Sequence, residues 1–250
     1  MLPEISLGPL DLKTFGICFA LAFVCSGAIF ARRLRELGKP ADWTYEAAFA
    51  ALIGGLVGSR VDFLIQNWDG VSGNLLGNVF SGSGLVFFGG LIGGAVGVLL
   101  WARWRGWLGW DLCDTAAAPI AIGYVVGRIG CQVSGDGDYG IESDLPWAMA
   151  YPEGTVPTQD SVHPTPVYDT LVMGLATLVL WHLRGRFAPG VLFGIYLVIV
   201  GAERFLIELI RRNDSVVGGL TLAQLFSLAV LALGCAIVAT RRGAARPATA

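Results

Sequence analysis

Long apolar stretches alternate along the chain with short polar segments that are rich in arginine. Seven of these stretches reach the length of about 20 mostly apolar residues that a helix needs to cross a bilayer. They are Thr14–Ala31, Tyr45–Ile65, Gly84–Ala102, Leu112–Gly130, Thr165–Leu183, Gly190–Ile210 and Gly219–Ala239. The pattern therefore predicts an all-α integral membrane protein with seven transmembrane helices, numbered here as spans one to seven.

The segments between the spans predict one membrane domain that covers residues 1–242. A loop over residues 131–163 separates spans four and five, and it is rich in residues that favour turns. Loops of this length are often functional. Residues 243–250 are predicted to form a short disordered tail.

The basic residues between the spans predict the orientation of the chain. They follow spans one, three, five and seven, whereas the loops after spans two and four have none beyond the helix ends. The residues concerned are Arg32, Arg33, Arg35, Lys39, Arg103, Arg105, Arg184, Arg186, Arg241, Arg242 and Arg246. Because basic loops stay in the cytoplasm, we expect the N-terminus outside and the C-terminus in the cytoplasm.

The composition supports a membrane protein and argues against a nucleic-acid partner. The chain is 54% hydrophobic and 14% charged, with a mean hydropathy of +0.64, whereas soluble domains are about 25% charged. The net charge of −2 leaves no basic face for nucleic acid. The five cysteines have no metal-like spacing, so we predict neither a disulfide framework nor a metal site among them.

Three arginines lie inside predicted spans, where a charge is costly unless something answers it. Arg60, Arg128 and Arg204 all lie towards the outer ends of spans two, four and six, so the topology places them at one depth. Arg204, Glu208 and Arg211 recur at helical spacing and share one face. The alternative is that each arginine only reaches for the interface, the behaviour called snorkelling.

Helices that run the other way begin at the same outer level. Span three starts near Gly84 and continues through Gly89 and Gly90, and helix N-termini attract anions. His163 stands just before span five, where it is either a structural hydrogen-bonding group or a functional one. Acidic residues of the outer loop suggest calcium, but their spacing does not match the EF-hand pattern, so no metal is predicted; they are Asp136, Asp138 and Glu142.

Several short motifs occur together and in one order along nearly the whole chain. They are Ile5–Leu10, Gly55–Arg60, Phe88–Gly94, Gly127–Gly130, His163–Asp169, Glu203–Glu208 and Gly219–Gln224. In these motifs the chain resembles the prolipoprotein diacylglyceryl transferase family. The motifs that contain Arg128 and Arg204 are the most specific.

The resemblance implies a multi-pass enzyme of the bacterial inner membrane that needs no cofactor. Such an enzyme transfers a diacylglyceryl group from phosphatidylglycerol, a membrane lipid, to the lipobox cysteine in the signal peptide of a prolipoprotein. Glycerol phosphate is the leaving group. The resemblance makes Arg128 and Arg204 essential site residues, with Glu208 and Asp136 in support.

The chain departs from the usual pattern of that family at three positions. Phe88 stands where the family commonly has histidine, Phe15 where it has tyrosine, and Cys131 where it has asparagine. The alternative function is therefore a related membrane protein that binds or uses phospholipid with a different acceptor, or without catalysis. A small-anion transporter is a third reading.

The expected roles follow from the charge of the leaving phosphate. Arginine suits phosphate because its guanidinium is planar and always charged, so Arg128 and Arg204 are assigned to it, with Glu208 orienting Arg204. The catalytic base is His163 or a carboxylate, and His163 is preferred because imidazole titrates in the required range. The further residues assigned to substrate binding are Arg60, Asp136, Tyr139, Gly89, Gly90, Glu203 and Arg211.

Overall fold

Helices account for most of the chain in a computed structural model that describes residues 1–8, 10–68 and 86–243. Within these residues there are seven helices. Their bounds are α1 Thr14–Glu36, α2 Trp43–Gln66, α3 Phe87–Trp104, α4 Trp110–Ser134, α5 Thr165–Leu183, α6 Val191–Glu208 and α7 Leu222–Arg241. Each of them overlaps one predicted span, so the mostly helical fold class is confirmed.

Five of the described helices, α1, α2, α4, α5 and α7, are long and apolar enough to cross a membrane. In the apolar windows of α1 and α2 only 11% of the residues are buried inside the protein. Such apolar surface is stable against lipid rather than water. The apolar part of α3 is shorter, Gly89–Trp104, and α6 carries three charged residues in its last two turns, Glu203, Arg204 and Glu208.

Two predicted boundaries differ from the structure. The loop expected from residue 131 begins later, because α4 continues to Ser134, whose hydroxyl donates to the Gly130 carbonyl at 2.8 Å. The last helix begins at Leu222 rather than Gly219, because Thr221 and Gln224 form a reciprocal capping box at its start. The predicted start of span three at residue 84 and the tail after residue 243 lie outside the described residues.

Three two-stranded antiparallel hairpins accompany the helices, and the sequence pattern did not predict them. They pair β1 Glu4–Leu7 with β2 Leu10–Lys13, β3 Met149–Tyr151 with β4 Thr158–Val162, and β5 Ser215–Val217 with β6 Leu220–Thr221. In the second hairpin Met149 opposes Val162 and Tyr151 opposes Thr158. The strands have two to five residues, too few for a clear alternation of polar and apolar positions.

The chain divides into two compact units, residues 31–112 and residues 1–30 with 113–250. In the smaller unit, α2 and α3 approach along facing glycines. A Cβ added at Gly54 or Gly58 would collide with the backbone carbonyl of Gly93 or Gly89, respectively. Close contact of this kind needs small residues, so these glycines act in helix packing.

The larger unit has a core built by α4, α5 and α6. Its buried residues include Ala117 and Ala121 from α4, Met173 and Leu180 from α5, and Tyr196 from α6. The Asp114 carboxylate accepts hydrogen bonds from the backbone N–H groups of Gly190 and Phe193 at 2.8 Å each, at the start of α6. These contacts fix α4 against α6, and the far ends of both helices carry the charged residues described next.

Candidate active site

The last turns of α4 hold Arg128 among acidic partners. Its side chain is 14% exposed and its Nε lies 3.0 Å from Oδ2 of Asp169, which is fully buried near the start of α5. A second ion pair joins Arg128 to Asp138, beyond the end of the helix. The guanidinium carbon also lies 5.0 Å from the ring centroid of Tyr124, one helical turn earlier. Arg128 is therefore a buried residue held by two carboxylates and not an arginine that snorkels into water.

The loop after α4 turns back so that Asp138 reaches the arginine. Gly135 and Gly137 have φ values of 60° and 94°, a region that side-chain-bearing residues rarely adopt. The Asp138 N–H donates to Oδ1 of Asp136 at 3.2 Å, and the Thr165 hydroxyl donates to the Asp138 carbonyl. The glycine conformations and these two bonds direct the Asp138 carboxylate towards Arg128.

The end of α6 brings two more arginines to one carboxylate. Nη2 of Arg204 lies 2.9 Å from Oε2 of Glu208, and Nε of Arg211 lies 3.9 Å from the same oxygen. Arg211 also pairs with Asp138, which thus stands between Arg128 and Arg211. Arg204 and Glu208 share a helical face as expected, whereas Arg211 lies beyond the end of α6 and reaches the same carboxylate from the following turn.

Glu208 is held in place by two further hydrogen bonds. The side-chain amide of Asn213 donates to Oε1 at 2.6 Å, and the hydroxyl of Thr221 donates to the same oxygen at 2.9 Å. The Glu208 side chain has no exposed surface. Its Oε1 is therefore engaged by neutral donors, while Oε2 faces the arginines.

The charged groups form an alternating chain across three helices and the segments that follow α4 and α6. Its order is Asp169, Arg128, Asp138, Arg211, Glu208 and Arg204. Among the described residues, Nη1 of Arg204 and Nη1 of Arg211 are buried without a hydrogen-bond partner. A buried donor without a partner is costly. These two groups are accordingly available to an anionic ligand.

Asp138 remains ionised because of its two arginines. Burial by itself raises the pKa of this carboxyl group, but Arg128 and Arg211 outweigh the burial and hold the pKa below its usual range. At neutral pH the loop therefore contributes a full negative charge between two guanidinium groups.

Tyr139 and His163 anchor this loop. The ring of Tyr139 stacks on Tyr151 at a centroid distance of 4.8 Å, and its hydroxyl donates to the Val156 carbonyl at 3.0 Å. The backbone of His163 pairs with Gly140 and Ile141 at 2.8 and 3.0 Å. Both residues therefore lie beside the charged chain, but they hold the loop through contacts of their own.

The ring of His163 contacts Tyr168 in the first turn of α5. Its Nδ1 lies 3.3 Å from the Tyr168 hydroxyl, which in turn accepts a hydrogen bond from Nε1 of Trp147 at 2.8 Å. The imidazole contacts described here are with Tyr168, and the role of His163 as a base stays a prediction.

Cys131 and Asp136 lie next to the charged chain. Sγ of Cys131 is 3.9 Å from Nη1 of Arg128, and Asp136 interacts with the Cys131 side chain. Within the described residues, Cys131, Asp136 and Asp138 each bring one potential metal ligand to within 4.8 Å of the others. Because Asp138 already neutralises two arginines, this group has little charge left to attract a cation.

Three other predicted site residues belong to the smaller unit. Arg60 is buried there, with its guanidinium carbon 5.2 Å from the Phe63 ring centroid. The Gly89 N–H donates to Oδ2 of Asp62 at 2.9 Å, and Gly90 lies one residue further along α3. Their assignment to substrate binding stays a prediction. The side chain of Phe88 lies outside the described part of the chain.

Two residues of the charged chain were not among the expected site residues. Asp169 and Asp138 both pair with Arg128, yet neither carried a predicted role. The signal that identifies Asp169 is its place near the outer start of span five, at the depth expected for Arg128. An arginine at that depth needs a carboxylate, and Asp169 is an acidic residue of that same segment.

Comparison with known proteins adds a family to this geometry. The family model described as prolipoprotein diacylglyceryl transferase matches residues 4–240. The phosphatidylglycerol–prolipoprotein diacylglyceryl transferase of Methylococcus capsulatus is 30% identical over 249 residues, which cover 94% of this chain and 93% of the relative. The protein of the same name from Dehalococcoides mccartyi is 32% identical, over 91% of this chain and 88% of the relative. That from Erythrobacter litoralis is 29% identical, over 94% and 88%.

Proposed function

The chain belongs to the prolipoprotein diacylglyceryl transferase family, and we propose that it transfers a diacylglyceryl group from phosphatidylglycerol to the cysteine thiol of a prolipoprotein. It is a transferase of lipoprotein biosynthesis and a multi-pass membrane protein. The observation that carries the proposal is the chain of three arginines with two buried, unused donors. Such donors suit the phosphate of a lipid headgroup.

The chemistry explains why the arginines are needed. The thiol loses its proton, its sulfur bonds to the glyceryl carbon, and the bond from that carbon to the phosphate oxygen breaks. Glycerol phosphate leaves with the bonding electron pair and gains negative charge. Guanidinium groups aimed at that charge stabilise the transition state, and a single donor of this kind contributes about 3 kcal/mol.

Each arginine receives a role from its contacts. Arg204 and Arg211 offer their free Nη1 groups to the phosphate, and Glu208 orients both of them through Oε2. Arg128 binds the phosphate in place of Asp138, so the ligand exchanges with an internal carboxylate when it enters. Asp136 and Tyr139 shape the headgroup pocket by holding the Asp138 loop.

The proton of the thiol needs an acceptor in the site. We assign it to His163 or to a carboxylate of the charged chain, with His163 preferred because imidazole is the usual proton acceptor in catalysis near neutral pH. Replacing His163 with alanine should lower the rate at neutral pH. Full activity of that variant across the pH range would make His163 a structural residue and leave a carboxylate as the base.

The proposal places the enzyme in the bacterial inner membrane, with seven spans and an outer N-terminus. It is supported by the basic residues that follow spans one, three, five and seven. In a variant without the five native cysteines, a new cysteine at the exposed Glu153 should react with an impermeant thiol reagent in spheroplasts. A cysteine at Ala245 should not react, and labelling of that cysteine would contradict the proposed orientation.

Transfer itself is tested with purified protein in proteoliposomes. Phosphatidylglycerol labelled in its acyl chains and a peptide with a lipobox cysteine should give labelled peptide and glycerol phosphate. A peptide with serine in place of that cysteine is the control. If the lipid is retained unchanged, the protein binds phospholipid without catalysis, and if phosphatidylglycerol is consumed without labelled peptide, the acceptor is a different one.

A further inference from the structure

Two carboxyl groups face each other behind Arg128. Asp169 on α5 has 0% of its surface exposed and Glu203 on α6 has 5%. Glu203 interacts with the Asp169 side chain, and Arg128 and Arg204 are the cations that act on it. Among the described residues, no N–H or O–H group makes a hydrogen bond to any of the four oxygens. The nearby cation is Arg128, whose Nε lies 3.0 Å from Oδ2 of Asp169.

Two ionised carboxylates in contact repel each other strongly when water is excluded. Both are acceptors only, so the contact becomes a hydrogen bond only when one of them carries a proton. Arg128 cannot balance both of them, because it is already shared with Asp138. A single proton between the two groups removes one charge and supplies the missing donor.

We propose that Asp169 and Glu203 hold one proton between them, and that Glu203 thereby acts as a positioning residue for Arg128. The inference deepens the proposed function and rests on it. With one negative charge, the pair holds the Arg128 guanidinium through Asp169 and leaves its positive field for the phosphate. With two negative charges, the pair would compete with the phosphate for Arg128 and Arg204.

Other ionisable side chains surround the pair of carboxyl groups. Tyr124 and Arg128 face it from α4, Asp169 belongs to α5, and Tyr196 and Arg204 lie on α6 beside Glu203. Glu203 is the member of the pair without a direct ion pair to Arg128, because that contact belongs to Asp169. The proton is therefore placed on Glu203, where it leaves the ion pair of Asp169 intact.

The test uses Glu203→Gln, which keeps the shape of the protonated acid and donates to Asp169 without titrating. The ratio of its transfer rate to that of the wild type at neutral pH is the reference value. At higher pH the wild-type pair loses its proton, so the ratio of variant to wild-type rate should rise by about tenfold per pH unit. Glu203→Ala should be slower than Glu203→Gln at neutral pH, because it removes the proton carrier and leaves a cavity. The matched control is Glu153→Gln, which replaces an exposed acid between β3 and β4. Its ratio of variant to wild-type rate should not change with pH.

A second measurement does not depend on activity. Infrared spectra of the wild-type protein in lipid should contain the C=O stretching band of a protonated carboxyl group, sensitive to deuterium exchange. The band should be lost in Glu203→Gln and kept in Glu153→Gln. If Glu203→Gln fails to insert, Asp169→Asn replaces it, and the band should then shift because Glu203 has lost the carboxylate with which it shares the proton.

The outcomes separate the two proposals. A flat rate ratio up to high pH, or an infrared band that neither variant changes, overturns the shared proton while the transferase function stands. Absence of transfer by the wild-type protein at every pH overturns the proposed function, and the infrared band then decides the proton pair by itself.

Discussion

Two arginine clusters in this protein use their donors in different ways. In the smaller unit, Arg105 directs Nε at 2.7 Å and Nη2 to the two oxygens of Glu46, and its guanidinium carbon lies 4.3 Å from the Trp104 ring centroid. In the larger unit, Arg204 and Arg211 meet the same oxygen of Glu208. In the part of the chain that the structure describes, Nη1 of each is buried without a hydrogen-bond partner.

The difference shows which arrangement can bind a ligand. A fork-to-fork pair such as Arg105 with Glu46 satisfies both partners and sits where water reaches it, so it is complete without a ligand. The second arrangement shares too few carboxylate oxygens among its arginines to engage every described guanidinium donor. The buried donors that remain unpaired there favour the binding of an anion. Charge alone does not mark the site, because both arrangements pair arginine with glutamate.

The largest effect is expected from the site arginines. Arg128→Ala and Arg204→Ala should each lower the transfer rate by at least about 100-fold, the loss expected for a donor to developing charge. Lysine at either position keeps the charge but loses the fork, so it should also be poor. The double variant should be less than additive, since the residues act on one phosphate.

The measurement for these variants is the initial rate in matched proteoliposomes, with membrane insertion and thermal unfolding checked separately. The check of membrane insertion is most important for Arg128→Ala, because this change leaves Asp169 buried without its ion-pair partner. Arg128→Lys serves as the second variant because it retains that charge. A wild-type rate in Arg128→Ala or Arg204→Ala would show that the residue does not hold the phosphate.

The smaller unit should be sensitive to volume instead. Gly58→Ala places a methyl group against the Gly89 carbonyl and forces α2 and α3 apart. The free energy of unfolding should fall by about 1–3 kcal/mol, the usual cost of overpacking. The matched control is Gly174→Ala in α5, where an added Cβ meets nothing within 4 Å. Equal melting temperatures for the two variants in detergent would contradict the tight glycine contact.

A moderate pH effect is expected from Asp138. Its pKa in the folded protein lies below the ordinary value of about 3.9, so its ion pairs stabilise the fold above that value. The contribution is lost as the pH falls through the lowered pKa. Asp138→Asn should therefore flatten the acid limb of the melting temperature against pH, whereas Asp160→Asn, on the exposed strand β4, should not. Parallel acid limbs for the wild type and Asp138→Asn would show that the Arg128 and Arg211 pairs add no stability.

The smallest effect is expected from the pair of Arg105 with Glu46. Arg105→Ala removes a partly exposed ion pair, which contributes little because solvent screens it. Transfer should stay at the wild-type rate, and the melting temperature should change only slightly. A loss of activity comparable to that of Arg204→Ala would mean that the two clusters are not separable in function.

Local sequence patterns were enough to predict the helices and the family. All seven described helices overlap an apolar stretch, because the length and composition of such a stretch decide whether it is stable in lipid. The shared face of Arg204 and Glu208 followed from helical spacing alone, whereas Arg211 lies beyond the end of α6. The family was recognisable from short motifs around Arg128 and Arg204, which keep their order along the chain.

Which charged side chains contact each other depends on how the helices and loops pack. Asp138 reaches Arg128 and Arg211 because Gly135 and Gly137 adopt positive φ values and turn the loop back, and no periodicity predicts that turn. The contact between Asp169 and Glu203 depends on how α5 and α6 are rotated about their axes, which packing of the whole core sets. Local pattern fixes where a helix lies in the chain and which residues share its face. The neighbour that the face meets depends on contacts between residues far apart in sequence.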